Sequence, residues 1–237
     1  MNAARRILAH SLIVALGLVP AALTVVDVLR DDLGANPIEA ITHRTGDWTI
    51  RLLLGALVVT PLRRLTGWNG VIRFRRTLGL LAFGYACLHF LTWAVLDQGL
   101  FLQGDALGYV LADVAKRPYI TVGFTAFVLL VPLAVTSTRG WVRRLGRRWT
   151  ALHRLVYVAL ALGSLHYLWL VKGEQLTPVW YALVLVGLLA LRVRVGQRRS
   201  ESVRVGPSPV RLSPRAPEPR PAPVRPAPTP AAAPPPP

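Results

Sequence analysis

The chain alternates long apolar runs with short polar segments. Six runs stand out, at 7–26, 48–62, 77–96, 118–136, 149–172 and 178–195. A helix needs about 20 mainly apolar residues to cross a hydrocarbon core about 30 Å thick. The pattern therefore predicts an all-α, polytopic membrane bundle of six transmembrane helices. The first run is longer than a signal-peptide core of about 7–15 residues and lacks a clear Ala-x-Ala exit, so it is expected to be retained. Pro20 inside it predicts a kink that neighbouring helices can accommodate. The second run carries Arg51 near its start, a side chain long enough to reach the interface. Pro61 and the Thr66-Gly67 pair are expected to end that run. Pro118 and Pro178 suit the first turns of the fourth and sixth. Between the runs, 27–47 and 97–117 read as loops, with a short surface helix at 103–115, and 137–148 reads as an arginine-rich loop.

Two domains follow: a six-helix unit over 1–196 and a tail over 197–237. Fourteen of the 20 prolines fall between Pro207 and Pro237. A segment so poor in apolar side chains cannot bury a core, and disorder with polyproline character is expected for it.

Composition sharpens this picture. Of the 237 residues 53% are hydrophobic and only 16% charged, against about 25% charged in a soluble domain. The net charge of +17 would suggest a nucleic-acid partner in a soluble protein. Here the arginines sit between spans, at 63, 64, 73, 75 and 76 and at 139, 143, 144, 147 and 148, where they set topology. The other loops are mixed or acidic. Both termini are therefore expected in the cytoplasm, with no nucleic-acid partner and the lipid bilayer as surroundings. The single Cys87 excludes an intrachain disulfide, and there is no Cys-x-x-Cys-His haem attachment, zinc pattern or nucleotide-binding motif.

The candidate chemistry lies in the histidines. Ionisable residues inside a membrane span are costly, and each is a functional-site candidate. His89 lies about 18 Å along the third span from its cytoplasmic end, and His166 is near the outer end of the fifth. The two spans run in the same direction, so both imidazoles reach similar depth in the outer half. They could clamp a haem iron from both sides, an arrangement that passes electrons rather than binding oxygen. The competing reading is that each histidine hydrogen-bonds a backbone carbonyl within a helix interface. His153 shares the fifth span and lies near the cytoplasmic face, about 20 Å from His166. It has no evident partner: Arg76 occupies the equivalent position on span three, and His10 on span one is the other histidine at that depth. On an ideal helix His153 and His166 also point about 140° apart. The inner site is open between a haem with an unusual partner, a flavin or quinone contact, and a structural role. Arg73, Arg75, Arg76, Arg148 and Arg154 flank the inner helix ends, where one or two could pair with propionates or a flavin phosphate. His43 either lines the outer mouth or caps a turn, and Cys87 reads as a packing residue.

Five stretches in order, HRTGDW (43–48), RRTLGLLAFGYACLHF (75–90), RPYITVGF with PLAVTST (117–124, 132–138), LGRRWTALHRLVY (145–157) and HYLWLVK (166–172), resemble the MsrQ (YedZ) family within the ferric-reductase-like transmembrane superfamily. The resemblance covers roughly 36–194. It implies a bacterial inner-membrane electron-transfer subunit with no catalytic residue of its own. Electrons would pass from the quinone pool or a cytoplasmic flavin donor, through haem b, to a periplasmic molybdenum-cofactor methionine sulfoxide reductase that repairs oxidised proteins. His89, His153 and His166 match the family's haem-associated histidines. FMN is implied as a further cofactor, with no residue here to place it. Alternatives are a ferric or cupric reductase-like cytochrome, which would usually add a flavin and nicotinamide domain, and a haem-free membrane scaffold.

Overall fold

A computed structural model describes residues 3–98, 105–170 and 176–204. Among these residues every regular element is helical. The chain divides into two units, Met1–Gly196 and Gln197–Pro237.

Helix α1 spans Ala3–Leu29. Pro20 lies inside it and removes one backbone donor. Tyr85 meets the helix in the same turn: its hydroxyl donates to Gly17 O at 2.8 Å and accepts from Ala21 N at 3.0 Å. One hydroxyl thus serves the carbonyl and the N–H of a single helical step beside the proline.

Helix α2, Pro37–Thr66, starts eleven residues before the expected second span. Asn36 caps it, accepting from Glu39 N at 3.3 Å and donating to Glu39 Oε2 at 2.9 Å, with Pro37 opening the first turn. Asn36 Oδ1 thus satisfies one free N-terminal N–H, and Glu39 holds the Asn36 side chain in place. Pro61 does not end the helix; Gly67 does, in a left-handed conformation (φ 68°) open to glycine. This helix supplies Leu52, Leu53, Leu54 and Leu57 to the core. A 3₁₀ turn, Asn69–Arg73, leads into α3, Phe74–Leu91, which passes into a π-helical turn, Thr92–Asp97.

The surface helix α4, Ala106–Lys116, is capped by Asp105. Arg117 is extended (φ −111°, ψ 101°), as a residue before proline must be, and α5 runs Pro118–Val135. The arginine-rich segment is not a loop. Thr138 caps α6, Arg139–Leu145; Gly146 at φ 48° breaks the chain; and α7, Arg147–Leu152, follows. The expected single span 149–172 corresponds to one segment, Arg147–Leu170, whose helix is interrupted at His153 and resumes as α8, Leu155–Leu170. Residues 171–172 lie outside the described residues. Helix α9, Thr177–Arg204, continues past position 196. Of the tail expected to be disordered over 197–237, residues 197–204 are instead helical, and 205–237 lie outside the described residues.

The core joins the α2 leucines with Ala82, Tyr85 and Ala86 of α3, Leu130 and Leu133 of α5, Ala159 and Leu160 of α8, and Leu185 and Leu188 of α9. Large apolar side chains face outward on the surrounding helices, among them Leu8, Leu12 and Leu23 of α1, Val128 and Val135 of α5, and Leu183 and Val186 of α9. An outward apolar surface of this kind suits a lipid surround. Among the described residues, four helical segments are long and apolar enough to cross a membrane: Ile7–Leu29, Asn69–Asp97, Pro118–Val135 and Arg147–Leu170. Helix α2 is long enough but carries charges along its length, and the apolar part of α9, Thr177–Leu191, is shorter. Within the bundle those charges are engaged: Asp47 pairs with Arg51, and the Tyr181 hydroxyl donates to Asp47 at 3.0 Å while accepting from Arg51 Nε at 2.8 Å.

Candidate functional site

The structure brings His89 and His166 together and leaves His153 apart. His89 projects from the last turn of α3 and His166 from α8, with ring centroids 6.2 Å apart and planes at 79°. His89 Nδ1 lies 2.8 Å from Thr42 O, and His166 Nδ1 lies 2.6 Å from Tyr119 O. A carbonyl can only accept, so both Nδ1 atoms carry the proton and both Nε2 atoms keep a lone pair. A carbonyl behind an imidazole fixes its tautomer and raises its basicity as a ligand.

The separation can be tested against a metal. With metal–imidazole distances of about 2.0 Å and each centroid about 1.2 Å behind its nitrogen, a linear two-imidazole site holds its centroids about 6.4 Å apart. The observed centroid spacing of 6.2 Å is close to that value. The carbonyl bonds belong to the competing reading as well. The meeting of two such rings does not, because a purely structural histidine needs no second imidazole.

Around the pair lies a cavity of about 390 Å³, reaching from Asn36 and His43 down to Leu53 and Leu130. That lies within the range of about 300–1,000 Å³ typical of small-molecule and cofactor sites. An aromatic wall closes one side: Phe90 stacks on Phe127 at 5.0 Å and meets Phe124 and Trp93, each at 5.9 Å. Trp93 lies in the π-helical turn just after His89, and such turns concentrate at functional sites. His43 belongs to α2 and lines the mouth of the cavity, edge-on to Tyr167 at 6.5 Å.

His153 sits in the break between α7 and α8. Its Nε2 is 3.1 Å from Thr136 Oγ1, and its ring stacks on Trp149 at 4.0 Å. Trp149 Nε1 in turn donates to Thr136 O at 3.0 Å. The break disposes of the ideal-helix angle between His153 and His166. His10, the possible inner partner, instead meets Thr77 Oγ1 at 3.2 Å and the Phe74 ring. Of the arginines expected to flank a cofactor, Arg76, Arg148 and Arg154 are exposed and Arg73 and Arg75 half-buried; none lines this cavity. Cys87 is half-buried and also lies off it.

Sequence reasoning missed Thr42, Gly46, Tyr119 and Gly123. The signal was present as an equal spacing: each histidine follows its carbonyl partner by 47 residues and its glycine by 43.

Fold and site define a helical membrane protein with a paired-histidine centre. Residues 45–164 match the family described as the ferric reductase like transmembrane component. Three relatives share the printed name protein-methionine-sulfoxide reductase heme-binding subunit MsrQ. That of Herminiimonas arsenicoxydans is 50% identical over 82% of this chain and 89% of its own length. The Ralstonia nicotianae relative is 55% identical (75% and 81%), and that of Rhodospirillum rubrum 53% (73% and 81%). The chain belongs to the MsrQ family of ferric-reductase-like transmembrane proteins. It is a multi-pass protein of the bacterial inner membrane.

Proposed function

We propose that this chain is the membrane electron-transfer subunit of a methionine sulfoxide reductase system, with His89 and His166 as axial ligands of a b-type haem. The observation that carries this reading is the facing imidazole pair, each with its Nδ1 proton committed to a carbonyl. His89 and His166 would hold the haem, which would supply one-electron transfer. The chain's own residues do the rest. Thr42 O and Tyr119 O orient the rings, and the aromatic wall and the α2 leucines exclude water. Low polarity around the site and the hydrogen bonds behind the ligands set the potential.

All six long apolar runs cross the membrane in this reading, α2 and α9 included, with both termini in the cytoplasm. The arginine-rich turns after α2 and α5 then lie inside, and the His89–His166 cavity opens outward. Electrons enter on the cytoplasmic side from the quinone pool or a flavin donor and leave to a periplasmic molybdenum-cofactor subunit. FMN is part of this reading through the resemblance alone. His153 is the inner candidate, and ligating an iron there requires its Nε2 to give up Thr136.

The test is reoxidation of the dithionite-reduced protein. The reading expects methionine sulfoxide to reoxidise a b-type band only when the periplasmic reductase subunit is added. Reoxidation by a ferric chelate alone, and not through that subunit, would favour the metal-reductase alternative. A reduced-minus-oxidised spectrum without a b-type band would remove both.

A further inference from the structure

The two halves of the site are built alike. On α2, Thr42 O holds His89, and Gly46 comes four residues later. On α5, Tyr119 O holds His166, and Gly123 comes four residues later. Other cavity residues obey the same 77-residue offset: Leu53 with Leu130, and Ala86 with Gly163, the latter two each three residues before a histidine. Each half is thus a helix pair, α2 with α3 and α5 with α8. The first helix of each offers a carbonyl and, one turn on, a bare backbone for the histidine of the second.

The bare backbone is required. A Cβ at Gly46 would lie 3.0 Å from His89 Nδ1 and 3.1 Å from its Cε1. At Gly123 it would lie 2.8 Å from His166 Nδ1 and 2.9 Å from both Cε1 and Cγ. Neither glycine has positive φ, so the demand is for space and not for backbone conformation. The ring cannot simply rotate away, because its Nδ1 is tied to a carbonyl on the same helix as the glycine. An added methyl group therefore displaces the imidazole, by a few tenths of an ångström at Gly46 and by more at Gly123, and strains the Nδ1 bond.

We propose that Gly46 and Gly123 are positioning residues of the redox centre. They set how deeply each imidazole seats on its carrier helix, and hence the mutual orientation of the two axial planes and the strength of the Nδ1 hydrogen bonds. The inference rests on haem ligation by His89 and His166 and adds residues that touch neither iron nor substrate. Because Gly123 is the tighter contact, its substitution has the larger effect.

The experiment compares Gly46→Ala, Gly123→Ala and, as a control on the same helix as His89, Gly84→Ala, where an added Cβ meets nothing within 4 Å. Haem content, the low-spin ferric EPR spectrum and the midpoint potential are measured on purified full-length protein. The EPR anisotropy follows the angle between the axial planes, and the potential follows the Nδ1 bonds. The expected result is that Gly84→Ala matches wild type in all three. Gly46→Ala retains haem with a displaced EPR signal and a shifted potential. Gly123→Ala shifts further, or converts to a high-spin form with one ligand lost. Should Gly123→Ala fail to insert, the milder Gly46→Ala decides. Wild-type EPR and potential in Gly46→Ala would overturn the proposal while leaving ligation by the two histidines standing. Wild-type protein without haem would instead overturn the ligation itself.

Discussion

Tyr85→Phe is a one-atom test of how the bundle is held together. Tyr85 is only 3% exposed, and its hydroxyl bonds both Gly17 O and Ala21 N on α1. A buried hydrogen bond contributes about 0.5–1.5 kcal/mol net, and a buried polar group left unpaired costs about 1–3 kcal/mol. Removing the oxygen strands one carbonyl and one N–H together. They recover part of the loss only by bonding each other directly, and Pro20 in the same turn restricts the backbone adjustment this needs. The net expectation is about 1.5–3 kcal/mol, at least a tenfold change in an unfolding equilibrium. Equilibrium unfolding in mixed detergent micelles measures the total. Hydrogen exchange at the Ala21 amide locates it, with exchange expected to accelerate there and in the adjoining turn. An unfolding midpoint and an Ala21 exchange rate both equal to wild type would refute the claim that Tyr85 bridges Gly17 and Ala21.

Three further changes probe other links. Asn36→Ala removes the α2 cap and its exchange with Glu39; a loss of about 1 kcal/mol is expected, read by the same unfolding assay. Tyr181→Phe removes the hydroxyl joining α9 to Asp47 and Arg51. Because Arg51 is half exposed and keeps its ion pair with Asp47, the expected loss is about 1 kcal/mol, with faster proteolysis of α9; an unchanged cleavage rate would contradict the link. His153→Ala removes the contact with Thr136, whose hydroxyl keeps its bond to Pro132 O. The low-spin signal of the His89–His166 centre is expected to persist in this variant, and its disappearance would show that the two positions are not separate.

What the sequence made readable was whatever depends on local pattern. The limits of α5 follow from Pro118 and from a continuous apolar run, and the surface helix follows from its spacing. Helix α2 was readable too, but by its cap: Asn36-Pro37-x-Glu39 marks a helix start that the polarity of 37–47 conceals. The α7–α8 break was hidden. No glycine or proline marks His153–Arg154, and the interruption comes from tertiary contacts, Trp149 and His153 both folding onto the end of α5 at Thr136. The pairing of His89 with His166 followed from depth alone, because two helices crossing in one direction bring equal depths level. Depth says nothing of rotation about the helix axis. The carbonyls and glycines that turn both rings inward therefore needed coordinates, although their equal spacing stood in the sequence throughout.

The central claim is that His89 and His166 hold one haem between them. Haem per protein, with the low-spin EPR signal, measured on the purified full chain and on His89→Ala and His166→Ala, tests it directly. The account predicts loss of the same low-spin signal in each single variant, with no further loss of that signal in the double variant, since one missing ligand already dismantles the pair. Full haem content with an unchanged low-spin signal in either single variant would contradict it.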